Sequence, residues 1–322
     1  MKDKAKVGVV LVNWDGGDFT ISCIESLLAM SYLPWRILVI DNASIDGSPE
    51  LIKEHYPEIT LIKNKYNLGF TGANNIGIRY LLGENVDYIW LLNNDTEVHP
   101  HCLENLLKEH EDKPDIAATT GKILYPNRKI IWYGGSIFSY WSLTAHHRGE
   151  MKEDNGQYDQ AEDVPFISGC CMLVRRGAFE KVGLLDDNFF AYWEDFDWCI
   201  RAKSAGLRLR YVPQATLYHK VSASLNKHRG MVTGGSSSPL GIYLVYRNRL
   251  LIIRKHSSNP IQFMPAILSY SFSFVYYAFG LIILRRWDKL AALFRGVKDG
   301  LIIDIPIVQH CINECMSLDD HK

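Results

Sequence analysis

Apolar and polar positions alternate in blocks over the first hundred residues. Val7–Val12 is an unbroken apolar run of strand length, and from Thr20 to Ala29 apolar residues recur at helical spacing. Arg36–Ile40 gives a second strand, closed by Asp41-Asn42-Ala43-Ser44, and Ser48–Glu54 opens a helix with Pro49 in its first turn. Ile59–Lys63, Thr71–Leu82 and Tyr88–Leu92 follow as strand, helix and strand. Apolar strands joined by helices predict an α/β chain with a doubly wound, mostly parallel sheet between helical layers. Such sheets bind ligands at the C-terminal edge of their strands. Asn13, Asp41, Asn64–Asn67 and Asn93–Asp95 all fall at strand C-terminal ends, so four separate polar turns become one predicted site.

The pattern then changes. Residues 121–165 are rich in aromatics, glycine and charge and lack helical periodicity. Phe166–Val174 reads as a strand containing Ser168-Gly169-Cys170-Cys171, and Ala178–Val182 as a helix. Asp187–Gly206 combines an acidic, aromatic turn with a helix, and Leu209–Val212 and Thr216–Tyr218 are short strands leading to His219. Ser222–Gly241 is polar and glycine-rich, a mobile loop or lid. From His256 to Leu284 no Asp, Glu, Lys or Arg occurs, and Arg285, Arg286, Lys289, Arg295 and Lys298 then interleave with Trp287, Leu290, Leu293 and Phe294. The run is long enough to cross a bilayer, yet cations flank both of its ends, so no outer side is named. Helices lying in or dipping into the membrane, followed by a basic amphipathic helix, fit better; a buried helical hairpin is the competing reading. The domains expected are 1–225 (donor half about 1–120, acceptor half about 121–225), a mobile loop and helix at 226–256, and a membrane-associating helical region at 257–322.

Composition narrows the classes. Hydrophobic residues make up 47% and charged residues 22%, enough for a real core. Lys and Arg total 35 against 36 Asp and Glu, so no global field points to nucleic acid. The seven cysteines form no C-x-x-C pair, which argues against zinc and for reduced thiols in a cytosolic domain. Met1–Lys6 runs straight into the first strand, with no signal peptide, so the catalytic part is expected in the cytoplasm.

Of all segments, Ile89-Trp90-Leu91-Leu92-Asn93-Asn94-Asp95-Thr96 carries the most chemistry: a buried strand delivers a carboxylate between amides to the ligand edge. A carboxylate there is a natural ligand for a hard divalent ion holding a diphosphate. Taken with Val9-Val10-Leu11-Val12-Asn13-Trp14, Val39–Ser48, Asn67–Asn75, Gly169–Arg176, Phe189–Asp197 and Tyr211-Val212-Pro213 with His219, it resembles the ordered signatures of family 2 glycosyltransferases. The likeness covers roughly residues 6–256 and is greatest to the bacterial rhamnosyltransferase-like branch. It implies a GT-A fold, a nucleotide-diphosphate sugar donor, a divalent metal and inversion at the anomeric carbon.

The resemblance also distributes roles. Asp41 would accept from a pyrimidine imide N–H, with an Asx turn as its structural alternative. Asn13 and Asn94 would line the donor site, and Asn67 and Gly69 would let the chain pass close to the nucleotide. Asn74 has helix capping as its plainer reading and donor contact as the second. Asn93-Asn94-Asp95 occupies the place of the family's Asp-x-Asp motif, with a neutral amide in the first position. Asp95 and His219 would then hold Mg²⁺ or Mn²⁺, with Asn93 toward the ribose or the metal. Asp195 matches the general base that an inverting displacement needs, and Glu194 would orient the acceptor or cap the helix. Trp193 and Tyr192 offer faces for an acceptor, or core packing. Arg247 can touch the donor diphosphate, anchor its helix or face anionic lipid.

The expected enzyme moves a sugar, L-rhamnose from dTDP-L-rhamnose in the favoured case and a UDP-hexose in the other. Its acceptor is a glycan or lipid-linked glycan of a cell-surface polysaccharide, met at the cytoplasmic membrane face. A homodimer is compatible with this reading. Two other classes compete. A nucleotidyltransferase should show a basic glycine-rich phosphate loop, which Asn13-Trp14-Asp15-Gly16-Gly17 lacks. A non-catalytic sugar-nucleotide-binding scaffold would not need Asp95, Asp195 and His219 together.

Overall fold

The computed structural model describes residues 4–139, 141–221, 238–257 and 259–302. The loop expected at 222–241 lies largely outside the described residues. The chain forms two compact units: Met1–Ser139 with Thr144–Met231, and Tyr140–Leu143 with Val232–Lys322.

The larger unit begins with the expected alternation: β1 (Val7–Asn13), α1 (Gly17–Leu28), β2 (Arg36–Asp41), α2 (Ser48–His55), β3 (Thr60–Lys63), α3 (Gly69–Gly83) and β4 (Tyr88–Asn93). It continues through β5 (Thr96–Val98), α4 (Cys102–Lys108), β6 (Ile116–Leu124), β7 (Ile131–Tyr133), β8 (Ser136–Ser139), β9 (Thr144–His147) and β10 (Glu162–Asp163). β11 (Cys171–Arg175), α5 (Arg176–Val182), α6 (Glu194–Ser204) and β12 (Arg208–His219) close it. The main sheet runs β10-β12-β6-β11-β4-β1-β2-β3, with β5 on β12 and β7 on β6. β3, β2, β1 and β4 are parallel, β11 runs against both β4 and β6, and β12 is parallel to β6. This is the α/β sheet between helices that the sequence pattern predicts, with a mixed second half. β1, β2 and β4 are buried almost throughout, as strands covered by helices on both faces must be.

Two elements differ from expectation. The strand read over Phe166–Val174 begins only at Cys171. Before it, backbone N–H groups go to side chains instead of a ladder: Phe166 to Ser136 Oγ, Ile167 to Cys199 Sγ and Gly169 to Asp195 Oδ2. The strands expected at Leu209–Val212 and Thr216–Tyr218 are one strand, with a register shift between Val212 and Thr216 that absorbs Pro213. Residues 121–165, without helical signal, are strands and loops.

The smaller unit holds α7 (Pro239–His256), α8 (Pro260–Ile283) and α9 (Trp287–Ile302). Ser238 and Asn259 cap the first two by accepting from Gly241 and Gln262 N–H at 3.1 and 3.0 Å, each followed by proline at the first helical position.

Candidate active site

The parallel strands end in a connected polar edge. Asn13 and Asp41 are register partners on β1 and β2, and both are buried. Asn13 Nδ2 donates to Asp41 Oδ1 at 2.9 Å and to Ser48 Oγ at 2.9 Å. Its Oδ1 accepts from Thr20 Oγ1 at 2.8 Å, and Thr20 Oγ1 accepts from Asn94 Nδ2 at 2.8 Å. One hydrogen-bond chain therefore joins the end of β4 to the end of β2 through Thr20 and Asn13. Asp41 Oδ2 accepts from Ser44 N–H at 3.2 Å, the Asx-type turn, so Asp41 serves the loop from one oxygen and Asn13 from the other.

Asn42 organises the neighbouring loop. Its amide donates to Asn67 Oδ1 at 2.7 Å and Gly69 O at 3.1 Å, and its Oδ1 accepts from Asn64 Nδ2 and Leu68 N–H. Gly69 has φ +72, and a Cβ there would lie 2.3 Å from Phe190 O. The room left by this glycine is taken by the backbone of the 190 turn, whose carbonyl accepts from Thr71 N–H at 3.0 Å. Asn74 is buried in α3 and donates to Phe70 O at 2.8 Å, a bond within its own helix. Asn75 instead clamps the next turn, exchanging bonds with Leu185 and donating to Asp187 Oδ1 at 2.7 Å.

Asp95 and His219 meet because β5 pairs with β12, Thr96 facing His219. His219 Nε2 lies 3.0 Å from Asp95 Oδ1 and 3.4 Å from Asn93 Nδ2, and both Asp95 and His219 are buried. The other ring nitrogen, Nδ1, is buried without a hydrogen-bond partner. Trp132 packs edge-on against the His219 ring at 4.6 Å between centroids and against His147 at 4.4 Å. Among the described residues no group of three His, Cys, Asp or Glu gathers. Two protein ligands fit a Mg²⁺- or Mn²⁺-type ion that takes its remaining oxygens from water and a substrate diphosphate.

Asp195 stands at the other side of the same edge. Its Oδ2 accepts from Gly169 N–H at 2.8 Å and its Oδ1 from Phe196 N–H at 2.7 Å. Cys170, next in sequence, gives its carbonyl to Asn93 N–H at 3.0 Å. The loop before β11 thus ties the two ends of the site together. Burial pushes the Asp195 carboxyl up to about 6 despite these bonds. Glu194 is held well above the usual carboxylate range by burial and by the Asp195 charge, and its Oε2 has no hydrogen-bond partner. Asp197 is committed elsewhere, to a buried ion pair with Arg201 at 2.8 Å. The turn that delivers these carboxylates is strained: Phe190, Tyr192 and Trp193 all have left-handed φ of 63, 68 and 75. Trp193 packs against Phe196 at 5.6 Å.

Asn13, Asp41, Asn67, Gly69, Asn93, Asn94, Asp95, Glu194, Asp195 and His219 are therefore joined by bonds, strand ends or the connecting loop. Arg247 belongs to the helical unit, where it is buried and its Nε donates to Asn248 Oδ1 at 2.8 Å. Sequence reasoning gave no role to Thr20, Ser48, Asn42 or the Gly169–Cys170 backbone. Ser48, Asn42 and Gly169–Cys170 were marked only by lying within the motif blocks and Thr20 only as the start of a helical segment, because a hydrogen-bond partner leaves no mark in residue type.

The model of Glycosyl transferase family 2 matches residues 9–183. The chain is 30% identical over 241 residues to N-acetylglucosaminyl-diphospho-decaprenol L-rhamnosyltransferase of Mycobacterium tuberculosis, covering 67% of this chain and 76% of that protein. It is 24% identical to the dTDP-rhamnosyl transferase RfbF of Shigella flexneri, with coverage of 79% and 81%. Among solved structures, the mannosyltransferase PcManGT of Pyrobaculum calidifontis, in complex with GDP-Man and Mn²⁺, aligns at TM-score 0.55 and 14% identity over 98% of this chain and 81% of that one. GalNAc-T7 with UDP, GalNAc and Mn²⁺ aligns at TM-score 0.59 and 17% identity, covering 79% of this chain and about half (48%) of that one. These structures share the GT-A fold. The chain belongs to glycosyl transferase family 2 and is a glycosyltransferase of that inverting family, on the rhamnosyltransferase-like side.

Proposed function

We propose that this enzyme transfers L-rhamnose from dTDP-L-rhamnose to a glycan or lipid-linked acceptor at the cytoplasmic face of the membrane. The observation that carries the reading is the placement of Asp95–His219 and Asp195 on one sheet edge, spanned by Gly169–Cys170. In this reading Asp41 and the Asn42–Asn67 loop hold the nucleotide, and Asn13 and Asn94 keep that loop in register with the diphosphate end. Asp95 and His219, with Asn93, would hold the divalent ion, which neutralises charge on the departing diphosphate. Asp195 accepts the proton of the acceptor hydroxyl as it attacks, leaving the sugar inverted. Burial and the neighbouring Asp195 charge raise the Glu194 carboxyl, which disfavours a second negative charge beside the base. Trp193 and Tyr192 supply apolar faces beside that carboxylate. The donor choice rests on the rhamnosyltransferase names of the relatives, and the acceptor on the lipid-linked substrate in one of those names.

Donor hydrolysis and calorimetric donor binding, each with Mn²⁺, Mg²⁺ or chelator, test this directly. dTDP-rhamnose should bind with metal and lose binding by on the order of 10²-fold or more in Asp95→Ala. Preference for UDP-glucose would overturn the donor assignment. Metal-independent binding of every nucleotide sugar would overturn the Asp95–His219 assignment.

A further inference from the structure

α8 is long and apolar enough to cross a membrane, at 24 residues and about 36 Å. Its exposure pattern argues for a different placement. Ala266, Tyr270, Ala278 and Leu281 are buried on one side. Ile261, Leu268, Phe272, Tyr276, Phe279 and Ile283 follow one another at helical steps along the opposite side. Phe272 is 76% and Phe279 63% exposed, so the described residues leave this stripe uncovered along its whole length.

The buried side is fixed to charged helices at its middle. Tyr270 Oη donates to Tyr246 O at 3.2 Å, and an Arg249 guanidinium nitrogen donates to Ser269 Oγ at 3.0 Å. Phe274 packs on Phe294 of α9 at 5.3 Å. α7 and α9 lie against each other so closely that a Cβ on Gly296 would sit 2.5 Å from Tyr243 O. A membrane-crossing α8 would therefore carry Arg249, at its own midpoint, into the hydrocarbon together with the cations of α9. Charges at that depth are strongly disfavoured.

The outer surface carries the complement of a lipid headgroup layer. Arg285, Arg295 and Lys298 are exposed, in sequence alternation with exposed Trp287, Phe294 and Leu301, while exposed Arg286 is paired with Asp288 at 3.0 Å. Trp141 is exposed beside Asn259, Ile261 and Gln262 at one end of α8, and Trp287 is exposed just past the other. Tryptophans settle at the headgroup level, and long cationic side chains reach anionic phosphates from there. A second copy of this chain would instead bring the same cations against themselves.

We propose that α8 lies in the plane of an anionic bilayer, its Phe272–Phe279 stripe among the upper acyl chains and the α9 cations on the phosphates, without crossing. The inference rests on the membrane-face reading above and says which surface docks and how deep. The full chain should co-float with vesicles containing about a third phosphatidylglycerol, and release at high salt. Flotation should drop at least tenfold in Phe272→Glu/Phe279→Glu, while donor hydrolysis in solution stays unchanged. Gln262→Cys and Asp288→Cys, near the two ends of α8 and off the stripe, expressed in a bacterium and read against the unsubstituted chain, should both escape a membrane-impermeant maleimide added to intact spheroplasts and react in inverted vesicles. Labelling of either from the outside would establish a crossing helix and overturn the proposal. Failure to float, with a dimer that the double substitution splits, would assign the stripe to a second copy. Intact flotation with no donor binding would instead defeat the transferase reading and leave this one standing.

Discussion

The two halves of the site are built on opposite terms. On the proposed donor side Asn13, Asp41, Asn42 and Asn67 are almost wholly engaged with one another and with nearby backbone. Left-handed residues there, Asp15 and Ala43, are isolated. On the proposed acceptor side three of four consecutive residues, Phe190, Tyr192 and Trp193, are left-handed, and Glu194 is buried with an oxygen unpaired. Each such feature costs on the order of 1–3 kcal/mol, held in place by the surrounding fold. The donor edge is built to be rigid and satisfied. The turn at 190–193 is held in an unfavourable state, and in the proposed function it is the part that presents the base. A substitution should therefore separate stability from activity on the acceptor side and couple them on the donor side.

The largest expected effect falls at Asp195. Asp195→Asn keeps only one of the bonds from Gly169 and Phe196, since a carboxamide has one acceptor oxygen, and it cannot take a proton, so turnover should fall by roughly 10²–10⁴-fold. Because burial raises the Asp195 carboxyl to about 6, the wild-type rate should climb through about pH 6 and level off above it, with the apparent value belonging to the Glu194–Asp195 pair. The same shift sets the sign for stability. Between about pH 4, where an unfolded aspartate ionises, and pH 6, the folded chain binds more protons than the unfolded one. Stability attributable to this group thus falls as pH rises across that window. At pH 7.5 Asp195→Asn removes that ionisation cost, on the order of 2 kcal/mol, and gives up one backbone hydrogen bond of about 1 kcal/mol, so in urea unfolding it should be at least as stable as the wild type. A variant that is both inactive and less stable would put the acceptor turn on the same terms as the donor edge.

Gly69 is where the halves touch, and its substitution comes next in size. Gly69→Ala must adopt φ +72 and push back the Phe190 carbonyl, which would lie 2.3 Å from the new Cβ. A loss of about 2–4 kcal/mol is expected, from backbone strain plus a displaced packed turn. Activity should fall further than stability explains, because the displaced carbonyl belongs to the turn that carries Asp195. Asn13→Ala, by contrast, leaves buried Asp41 short of a partner and should cost about 1–3 kcal/mol, with a matching loss of donor affinity. Unfolding curves set beside donor titrations distinguish the two; equal ratios of lost stability to lost activity would erase the contrast.

What was legible in the sequence follows the same divide. The donor half is built from local periodicity: each apolar run became a strand and each polar strand end, Asn13, Asp41 and Asn93, reached the common edge. Asp95 was readable as a metal ligand from its place at a strand end, but its partner His219 only through the family resemblance, because their meeting depends on β5 pairing with β12, more than a hundred residues later. The acceptor half was less legible where backbone does the work. Phe166–Cys170 looked like a strand because its residues are apolar, but its N–H groups are spent on Ser136, Cys199 and Asp195. No propensity records that competition. The left-handed turn at 190–193 was equally hidden, since none of those residues is a glycine.

The smallest effect tests whether the metal end shares the donor edge's rigidity. A metal-binding histidine is usually oriented by a hydrogen bond from its second nitrogen, yet His219 Nδ1 is buried without one. What fixes the ring is packing: Trp132 stands edge-on to it at 83°, braced in turn by His147. Trp132→Phe keeps an aromatic face but shortens it, so the His219 ring gains freedom while the fold is retained. The Mn²⁺ concentration for half-maximal donor binding should rise roughly three- to tenfold, below the 10–100-fold typical of removing a hydrogen-bonded outer partner. Donor binding by calorimetry across a Mn²⁺ series reads this directly. An unchanged midpoint would mean that Asp95 alone positions His219, and the metal end would then join the satisfied donor edge and need no aromatic brace.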